Sequence, residues 1–420
     1  MKAIQFRMAI CLLLASIIFL INIPDIPLLA EPNVIIVTEE DNLQEIINNA
    51  QQGDIIYLKK GNYTQYRIMV NKSLTIVGED PEKTIISGNN QEDATVILDV
   101  LADHVIIKNL TFTEAAPGYP PGGGRALILT DVKNVTIQDC IIYACSYGIE
   151  ISNSSNNNIV RNNITQTSYA IRFAGGSQSN IVAYNNIYNN SIGISFAGSN
   201  DINNKIYNNN FIDNKNNIDG LWGYYNSWYF DYTVGGNYWS NYTGQDKFSG
   251  QNQDQPGSDG IGDEPYQYQD QDLDKYPYMR KIHCFEALKT DNFGYFVIVS
   301  TNSTQISNFT FKAEQKSISF TVSQSSPAYC RIIIPNKLLH AETNEWIITA
   351  DSEKVNDYTP ISNQEFTALF FTYPPETNQI TIKGTTAIPE LAPILTLILI
   401  TISAIMLVMI IKNQNGSSLT

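Results

Sequence analysis

The stretch Tyr147–Ile151 (Tyr-Gly-Ile-Glu-Ile) decides the fold, because it returns at near-regular intervals along the chain. It recurs as Tyr169–Phe173 and again as Ile192–Phe196, at intervals of about 22 to 24 residues. Apolar and polar residues alternate within each copy and helical spacing is missing, so each repeat should be one coil of short strands. The repeat therefore predicts an all-β, right-handed parallel β-helix.

A second track of residues runs in step with the first. It places Ile141, Ile164, Ile187 and Phe211 in one phase, and Cys140, Asn163, Asn186 and Asn210 in the position before. Asparagine tolerates turn conformations, and its amide both donates and accepts hydrogen bonds. The track predicts a ladder of asparagine side chains at a tight turn, with each amide bonded to the next coil.

The first coil needs a cap, because exposed strand edges recruit other chains. The segment Asp41–Ala50 places Leu43, Ile46, Ile47 and Ala50 on one helical face, with Asp41 as the predicted N-cap. The Gly53–Asp54 turn and the strand Ile55–Leu58 follow. This order resembles the entry to the β-helix of exported carbohydrate-binding and sugar-hydrolase proteins.

The two ends of the chain predict export and anchoring. Residues 1–30 carry Lys2 and Arg7 before an apolar run, as signal peptides do, although an uncleaved anchor is the alternative. Residues 388–412 predict a single C-terminal transmembrane helix, with a buried core helix as the alternative. Residues 413–420 would form a short inner tail. Cleavage of the C-terminal anchor is left open.

Charge and sequons narrow the surroundings of the protein. The net charge of −15 argues against nucleic acid and anionic lipid surfaces as partners, because both require clustered positive charge. Several Asn-x-Ser/Thr sequons fit an exported, glycosylated surface, among them those at Asn62, Asn109, Asn134, Asn163 and Asn308. We expect a cell-surface or periplasm-facing protein.

Three motifs follow the repeats, namely Gly235–Tyr242, Asp259–Tyr266 and Asp274–Met279. Together with the repeats they resemble the NosD-type family of periplasmic and surface β-helix proteins, over roughly Asn33 to Met279. The resemblance implies a β-helix at 31–234, a family-specific motif region at 235–283, and a link to copper-site maturation.

Copper itself finds little support in the sequence. Copper sites need clustered His, Cys or Met ligands, whereas His104, His283 and His340 lie far apart.

Residues 284–384 predict a small β-sandwich, because β-branched and aromatic runs such as Tyr295–Val299 alternate with turn clusters. The unit resembles sandwich modules next to the anchor in archaeal surface proteins, which implies a spacer or adhesion role. Cys284 and Cys330 are the better disulfide pair in an exported chain, with two free buried thiols as the alternative. Cys140 and Cys145 should not bridge, because extended chain holds them too far apart.

No catalytic residues are assigned from the sequence. The aligned column Glu150, Arg172, Ser195 offers one exposed ion pair and no second acid, and Asp139 aligns with asparagines. Glycoside hydrolysis uses two carboxylates about 5 to 10 Å apart. The Pro/Gly-rich insertion 117–124 could border a cleft, although a tolerated insertion is the alternative.

Aromatic residues crowd the segment 222–242, which predicts a cap over the last coil with Trp239 first among its members. The functional alternative is a stacking platform for sugar rings, formed by Tyr225 and Trp228 with Asn226 and Asp231 bonding to hydroxyl groups.

An acid-rich stretch predicts a bound calcium ion, because calcium takes six to eight oxygen ligands. A solvated acidic loop is the alternative. The candidate ligands are Asp254, Asp259, Asp263, Asp270, Asp272 and Asp274.

These features favour a membrane-tethered surface protein whose β-helix binds an extracellular carbohydrate or another polymer. The first alternative is a polysaccharide lyase or hydrolase on the same scaffold, so catalysis stays open. The second is a NosD-like accessory protein for copper-site maturation or a structural envelope protein.

Overall fold

The computed structural model describes residues 32–116, 123–220, 223, 225–269, 271–289 and 294–388. Within these ranges no helix is long and apolar enough to cross a membrane. The predicted signal peptide (1–30), the predicted anchor beyond Ile388 and the tail (413–420) lie outside the described residues.

Two parallel sheets wind around one core as a right-handed β-helix, and every strand pair in them is parallel. The first sheet has eight described strands, in the order β1 (Val34–Val37), β2 (Ile55–Leu58), β5 (Thr75–Gly78), β8 (Ile106–Lys108), β11 (Thr136–Gln138), β13 (Asn158–Val160), β15 (Ile181–Ala183) and β18 (Lys205–Tyr207).

The second sheet has thirteen strands among the described residues, and its longest members bend to supply two sides of a coil. They are β3 (Gly61–Thr64), β4 (Ile68–Val70), β6 (Thr84–Ser87), β7 (Val96–Val100), β9 (Thr111–Thr113), β10 (Arg125–Thr130), β12 (Ile141–Ser152), β14 (Asn163–Ala174), β16 (Asn186–Tyr188), β17 (Ile192–Phe196), β19 (Asn210–Ile212), β20 (Asn216–Asp219) and β21 (Tyr238–Trp239).

Alternating residues of these strands point inward and form continuous apolar columns. Each fully buried aliphatic side chain contributes about 1.5 to 3 kcal/mol, so the columns dominate the stability of the β-helix. One column, fully buried at every coil, consists of Ile56, Ile76, Ile107, Ile137, Ile159, Val182 and Ile206.

The register of the quoted repeat is confirmed: Tyr147 lies opposite Tyr169, and Tyr169 lies opposite Ile192. The predicted register of the second track is wrong by one residue at its first coil. Ile142, which is fully buried, lies opposite Ile164, whereas Ile141 lies opposite Asn163. The physical reason is that only the inward residue of this pair can join the apolar column.

The predicted asparagine ladder is confirmed. The Asn186 amide donates to Asn163 Oδ1 at 2.7 Å, and the Asn210 amide donates to Asn186 Oδ1 at 2.8 Å. Two deeper ladders escaped the sequence reasoning, and almost all of their members are fully buried. They are Asn162–Asn185–Asn209–Asn237 and Asn157–Asn180–Asn204–Asn226.

The first coil is closed by the helix α1 (Leu43–Asn49), which buries Leu43 and Ile47. The predicted N-cap Asp41 is wrong by one residue, because Asn42 Oδ1 accepts the Glu45 N–H at 3.1 Å. Asp41 instead accepts two hydrogen bonds from Thr38 and so orders the turn before the helix.

Beyond the β-helix, two five-stranded antiparallel sheets share one hydrophobic core. The first consists of β26 (Ile282–Leu288), β27 (Tyr295–Thr301), β30 (Ala328–Pro335), β35 (Phe366–Tyr373) and β34 (Tyr358–Ser362). The second consists of β28 (Gln305–Lys312), β29 (Ser317–Ser323), β36 (Gln379–Lys383), β32 (Ile347–Ala350) and β33 (Glu353–Val355). We call this part the two-sheet unit.

Short two-stranded sheets complete the described chain. They are β22 (Phe248–Ser249) with β23 (Gln255–Pro256), β24 (Tyr266–Tyr268) with β25 (Gln271–Asp274), and β31 (Leu339–His340) with β37 (Thr386–Ala387).

The predicted disulfide between Cys284 and Cys330 is wrong, because both thiols are free. Strand β27 lies between them: Cys284 pairs with Ile298, whereas Cys330 pairs with Thr301. An offset of three residues places the two side chains on opposite faces of the sheet. Cys330 lies in the core of the two-sheet unit, and Cys284 lines a crevice facing the β-helix.

Arg331 joins the two-sheet unit to the β-helix. This side chain is fully buried and donates to the carbonyl oxygens of Asp259 (2.9 Å), Tyr232 (2.6 Å) and Thr233 (3.2 Å). Its guanidinium group also lies 4.0 Å from the Asp259 carboxylate. The motif region after the repeats therefore serves as the docking surface for the sheets.

Candidate binding groove

A groove runs along the turn that connects the two arms of the bent strands β12 and β14. Its volume is about 620 Å³, and its walls come from successive coils of the β-helix. We call it the turn groove, and its lining residues are Asn90, Ala115, Ala116, Ala144, Cys145, Ser146, Gln166, Thr167, Ser168, Asn189, Asn190, Ser191, Asp213 and Lys215.

The turn is sharp because one residue per coil adopts a left-handed backbone. Ala144, Gln166, Asn189 and Asp213 have φ values of 53°, 53°, 54° and 50°, and each follows the strand residue that ends the first arm. All four are exposed, so their side chains project into the groove at the strand spacing of about 4.8 Å.

A second row of residues is held in place by its own ladder. Asn190 Oδ1 accepts from the Thr167 hydroxyl at 2.8 Å, and the Asn190 amide donates to Asn214 Oδ1 at 3.0 Å. The next position along each coil is a serine, namely Ser146, Ser168 and Ser191. This ladder is buried and fixes the turn, whereas Gln166, Asn189, Ser168 and Ser191 present amides and hydroxyls, which both donate and accept hydrogen bonds.

The Pro/Gly-rich insertion leaves and re-enters the β-helix at the edge of this groove. The Gly124 N–H donates to the Ala116 oxygen at 3.0 Å, which closes the base of the insertion. Ala115 and Ala116, which directly precede the insertion, line the groove. This position agrees with the prediction that the insertion borders a cleft. Residues 117–122 themselves lie outside the described part of the chain.

The acid–base chemistry of the groove is sparse. Asp213 is the single carboxylate among its described lining residues, and the insertion 117–124 contains no acid. Cys145 is buried, and this burial raises the pKa of its thiol to about 12, so the reactive thiolate is scarce at neutral pH.

Two charged columns differ from the sequence prediction. Glu150 is buried, not exposed, and its Oε2 contacts Arg125 at 3.1 Å as well as Arg172 at 3.2 Å. Asp139 does not align with the asparagines, because the one-residue shift in register places it beside Arg161, with a bidentate ion pair at 2.7 and 2.8 Å. Sequence reasoning missed Arg125 because it follows an insertion that breaks the repeat.

Three of the four residues of the predicted sugar platform, Tyr225, Asn226 and Trp228, line one cleft, whereas Asp231 does not. Trp228 is fully buried, and its indole N–H donates to the Gly223 oxygen at 2.9 Å, so it belongs to the cap. Asn226 ends a buried amide ladder, and Asp231 accepts from the Val234 N–H and the Asn363 amide. Tyr225 alone is exposed, by 60%, beside this cleft of about 600 Å³.

Trp239 caps the last coil as predicted. It stacks between Phe211 and Tyr266, with ring centroids 4.3 and 4.0 Å away, and is 1% exposed. Trp222 and Tyr224 of the same aromatic segment lie outside the described residues.

Among the described residues, the predicted calcium ligands Asp254, Asp259, Asp263 and Asp274 do not form a group that could hold a metal ion. Asp259 accepts from the Tyr232 hydroxyl and the Ile261 N–H, whereas Asp263 accepts from the Lys247 and Phe248 N–H groups. Asp254 is exposed at a turn. Asp259 and Asp263 thus accept from different donors and order separate parts of the motif loops. Asp270 and the side chain of Asp272 lie outside the described part of the structure. Calcium binding by these two residues stays a prediction.

Asp274, another predicted calcium ligand, accepts hydrogen bonds within the cap of the last coil. Its carboxylate is fully buried and accepts from the Asn237 N–H at 2.7 Å and the Trp239 indole N–H at 2.9 Å. Burial raises the pKa of Asp274 to about 7, while these hydrogen bonds lower it. The residue thus terminates the deepest amide ladder and fixes the capping tryptophan.

A copper centre needs clustered His, Cys or Met side chains. Among the described side chains no group of three or more His, Cys, Asp or Glu is arranged to hold a metal ion. The residues present do not fit a copper centre in this part of the chain.

Comparison with known proteins gives a family match and several fold likenesses. No curated protein sequence matches the chain. The catalytic domain of GH87 alpha-1,3-glucanase in complex with nigerose is 18% identical, with a TM-score of 0.40 over 50% of this chain and 38% of that one. The chain thus spans well under half of the glucanase.

Two further structures are similar at lower scores. Alginate lyase from Paenibacillus sp. str. FPU-7 is 16% identical, with a TM-score of 0.31 over 43% of this chain and 75% of its own. Pectin methylesterase from Yersinia enterocolitica is 15% identical, with a TM-score of 0.29 over 47% and 77%. At such identities the likeness concerns the fold alone.

The family match covers most of the β-helix. Residues 37–244 match the family model described as periplasmic copper-binding protein (NosD). The match includes the repeats and the first of the three motifs, Gly235–Tyr242. It confirms, over those residues, the predicted resemblance of this chain to the NosD-type family.

Proposed function

We propose that the protein binds an extracellular polysaccharide along the turn groove. The observation that carries the proposal is the repetition of an amide and a hydroxyl side chain on two successive coils, namely Gln166 with Ser168 and Asn189 with Ser191. A polymer with hydroxyl groups on every unit can use one such set per coil. Ligands without a repeated structure would use only a small part of this surface.

The character of the groove supports a hydroxylated ligand over an apolar one. Sites for small apolar molecules are lined mainly by hydrophobic and aromatic side chains. The described lining of the turn groove contains no aromatic residue, and ten of its fourteen residues are polar or charged.

Binding is favoured over hydrolysis by the number of carboxylates. Hydrolysis of a glycosidic bond uses two carboxyl groups about 5 to 10 Å apart. In the described lining, Asp213 has no second acid beside it, and Glu114, next to Ala115, is hydrogen-bonded to Ser87 at 2.7 Å. A lyase would need a base, and among these residues the groove offers Lys215 but no histidine.

The proposed location is outside the cytoplasm. The family description names a periplasmic protein, which supports export. Tethering through the apolar segment 388–412 and cleavage of the segment 1–30 stay predictions from the sequence. The family's copper role is not proposed, because the described residues do not fit a copper centre.

A glycan array probed with the full chain tests this proposal, followed by a reducing-end assay on every glycan that binds. We expect binding to a polysaccharide without release of reducing ends. Release of reducing ends would replace the binding function by cleavage, either by hydrolysis or by a lyase reaction. Failure to bind any glycan on the array, by a protein with native secondary structure, would contradict the proposal.

A further inference from the structure

Two arginines share one buried glutamate at the edge of the turn groove. Glu150 Oε2 contacts Arg125 Nε at 3.1 Å and Arg172 Nη1 at 3.2 Å. Because both nitrogen atoms contact the same oxygen, the two guanidinium groups are close neighbours. The side chain of Glu150 is 7% exposed, whereas those of Arg125 and Arg172 are 24% and 27% exposed.

An aromatic ring holds both guanidinium groups in position. Arg125 lies 4.8 Å and Arg172 lies 5.6 Å from the centre of the Tyr147 ring. The Tyr147 ring stacks on Tyr169 at 5.3 Å. Arginines fixed in this way lose little freedom when they bind a further anion, and their planar donors suit carboxylate and sulfate oxygens.

The site carries an excess of positive charge in an acidic protein. One carboxylate faces two guanidinium groups, which leaves one positive charge without a counter-charge in the trio. The same column contains two further acids. Asp99 lies two coils before Glu150. Asp219 lies two coils after Arg172. Asp99 accepts from Thr130 at 3.1 Å, and Asp219 accepts from Ser195 at 3.2 Å.

The trio adjoins the groove through the backbone. The Gly124 oxygen, one residue before Arg125, accepts the N–H groups of Ser146 and Tyr147 at 3.0 and 3.1 Å. Ser146 lines the groove, and so does Ser168, which directly precedes Tyr169. A polymer lying in the groove would therefore pass beside the two arginines.

We infer that Arg125 and Arg172 form an anion subsite, and that the polysaccharide bound in the turn groove carries carboxylate or sulfate groups. The inference rests on the proposed function and narrows it to acidic polymers. Glu150 orients the two arginines and at the same time weakens their attraction for the ligand, so it is a positioning residue.

Three dextrans with one backbone test the inference with the full chain: neutral dextran, carboxymethyl dextran and dextran sulfate. We expect at least one charged dextran to bind at least tenfold more tightly than neutral dextran at low salt. The preferred charged form distinguishes a carboxylate ligand from a sulfate ligand. Raising the salt concentration should reduce the difference, because screening weakens partly exposed charge pairs.

Substitutions assign the effect to the trio. Arg172→Ser copies Ser195, which occupies the same column one coil later, so the fold accommodates it. We expect Arg172→Ser to lose about tenfold affinity for the charged dextran, and Glu150→Gln to gain a few-fold. Lys133→Ser is the control, because it removes one exposed positive charge from another turn. We expect it to leave the affinity for the charged dextran unchanged.

Equal binding of charged and neutral dextran, or equal losses for Arg172→Ser and Lys133→Ser, would overturn the anion subsite. If the glycan array still gives neutral ligands that depend on the groove, only this inference fails. If neither the array nor the dextrans bind, the proposed function fails with it.

Discussion

Two regions of the β-helix differ in whether their chemically distinctive side chains are buried or exposed. The segment 225–274 contains the aromatic and acidic residues that a search for binding sites would select first, yet Trp228, Trp239 and Asp274 are buried in the closure of the last coil. The turn groove is built from glutamine, serine, threonine and asparagine, and its left-handed residues are exposed on four coils.

The difference shows what decides whether a residue is available for binding. At the end of the β-helix an open core must be covered, and large aromatic side chains cover the most area. Along the groove the core is already closed by the strands on either side, so side chains at the turn are left to face solvent. Position along the coil, more than residue type, separates structure from function here.

The largest expected effect follows from the cap. Trp228→Ala should lower the free energy of unfolding by about 3 to 5 kcal/mol, because it opens a cavity between Phe196, Phe211 and Trp239. Tyr225→Ala, at an exposed position three residues earlier, should change it by less than about 0.5 kcal/mol. Chemical denaturation measures both, and equal losses would remove the contrast between cap and surface.

Docking of the two-sheet unit should depend on Arg331. Arg331→Met should cost about 3 kcal/mol, because it removes the buried counter-charge of Asp259 and the donor to three carbonyl oxygens. Lys312→Met, an exposed cation on the same unit, is the control. Amide exchange at Ile261, which bonds to Asp259, should accelerate in Arg331→Met alone. Identical amide exchange rates at Ile261 in both variants would contradict the docking role of Arg331.

A smaller loss is expected within the amide ladder. Asn185→Ala should cost about 2 kcal/mol, because the Asn162 N–H and the Asn209 side chain lose buried partners. Asn156→Ala, at an exposed turn with a φ of 57°, should cost only about 1 kcal/mol, because alanine tolerates a left-handed backbone less well than asparagine does. A thermal melt that ranks the two variants equally would mean that the ladder is not a stabilising feature.

The sequence predicted the architecture of the coils more accurately than it predicted the binding sites. The spacing of Ile149, Ile171 and Ile194 within the quoted repeat predicted the register correctly, because inward residues must recur in every coil. Ile141 and Ile142 are both apolar, so the letters alone could not identify the inward one, and Asp139 was misaligned with them. The Tyr147-to-Tyr169 interval, which carries Ile142 onto Ile164, was the signal that resolves it.

The sites were harder for a physical reason. Trp228 and Asn226 look like ligand contacts in a list of residues, but their burial is set by the last coil and by its ladder partner Asn204. The groove residues have no unusual chemistry, and only their repetition at one turn of the coil marks them. Arg125 meets Glu150 across an insertion, which no repeat pattern aligns.

Acid should stabilise the cap relative to neutral pH. Burial raises the pKa of Asp274 to about 7 from an ordinary value of 3.8, so the folded protein binds the proton more tightly than the unfolded chain. The contribution of this group to stability is therefore fully present below about pH 4 and is lost as the pH rises to about 7. Asp274→Asn should flatten this part of the curve of melting temperature against pH. An unchanged curve would contradict the shift.

The central claim concerns the turn groove, and the double substitution Gln166→Ala with Asn189→Ala tests it most directly. Ala144 occupies the same column with the same backbone, so the change should leave stability within about 1 kcal/mol. Affinity for a polysaccharide found on the array should fall about tenfold, because at least one hydrogen bond is lost on each of two coils. Asn156→Ala, a left-handed asparagine on another turn, should bind like the native chain. Native affinity in the double variant would contradict the account.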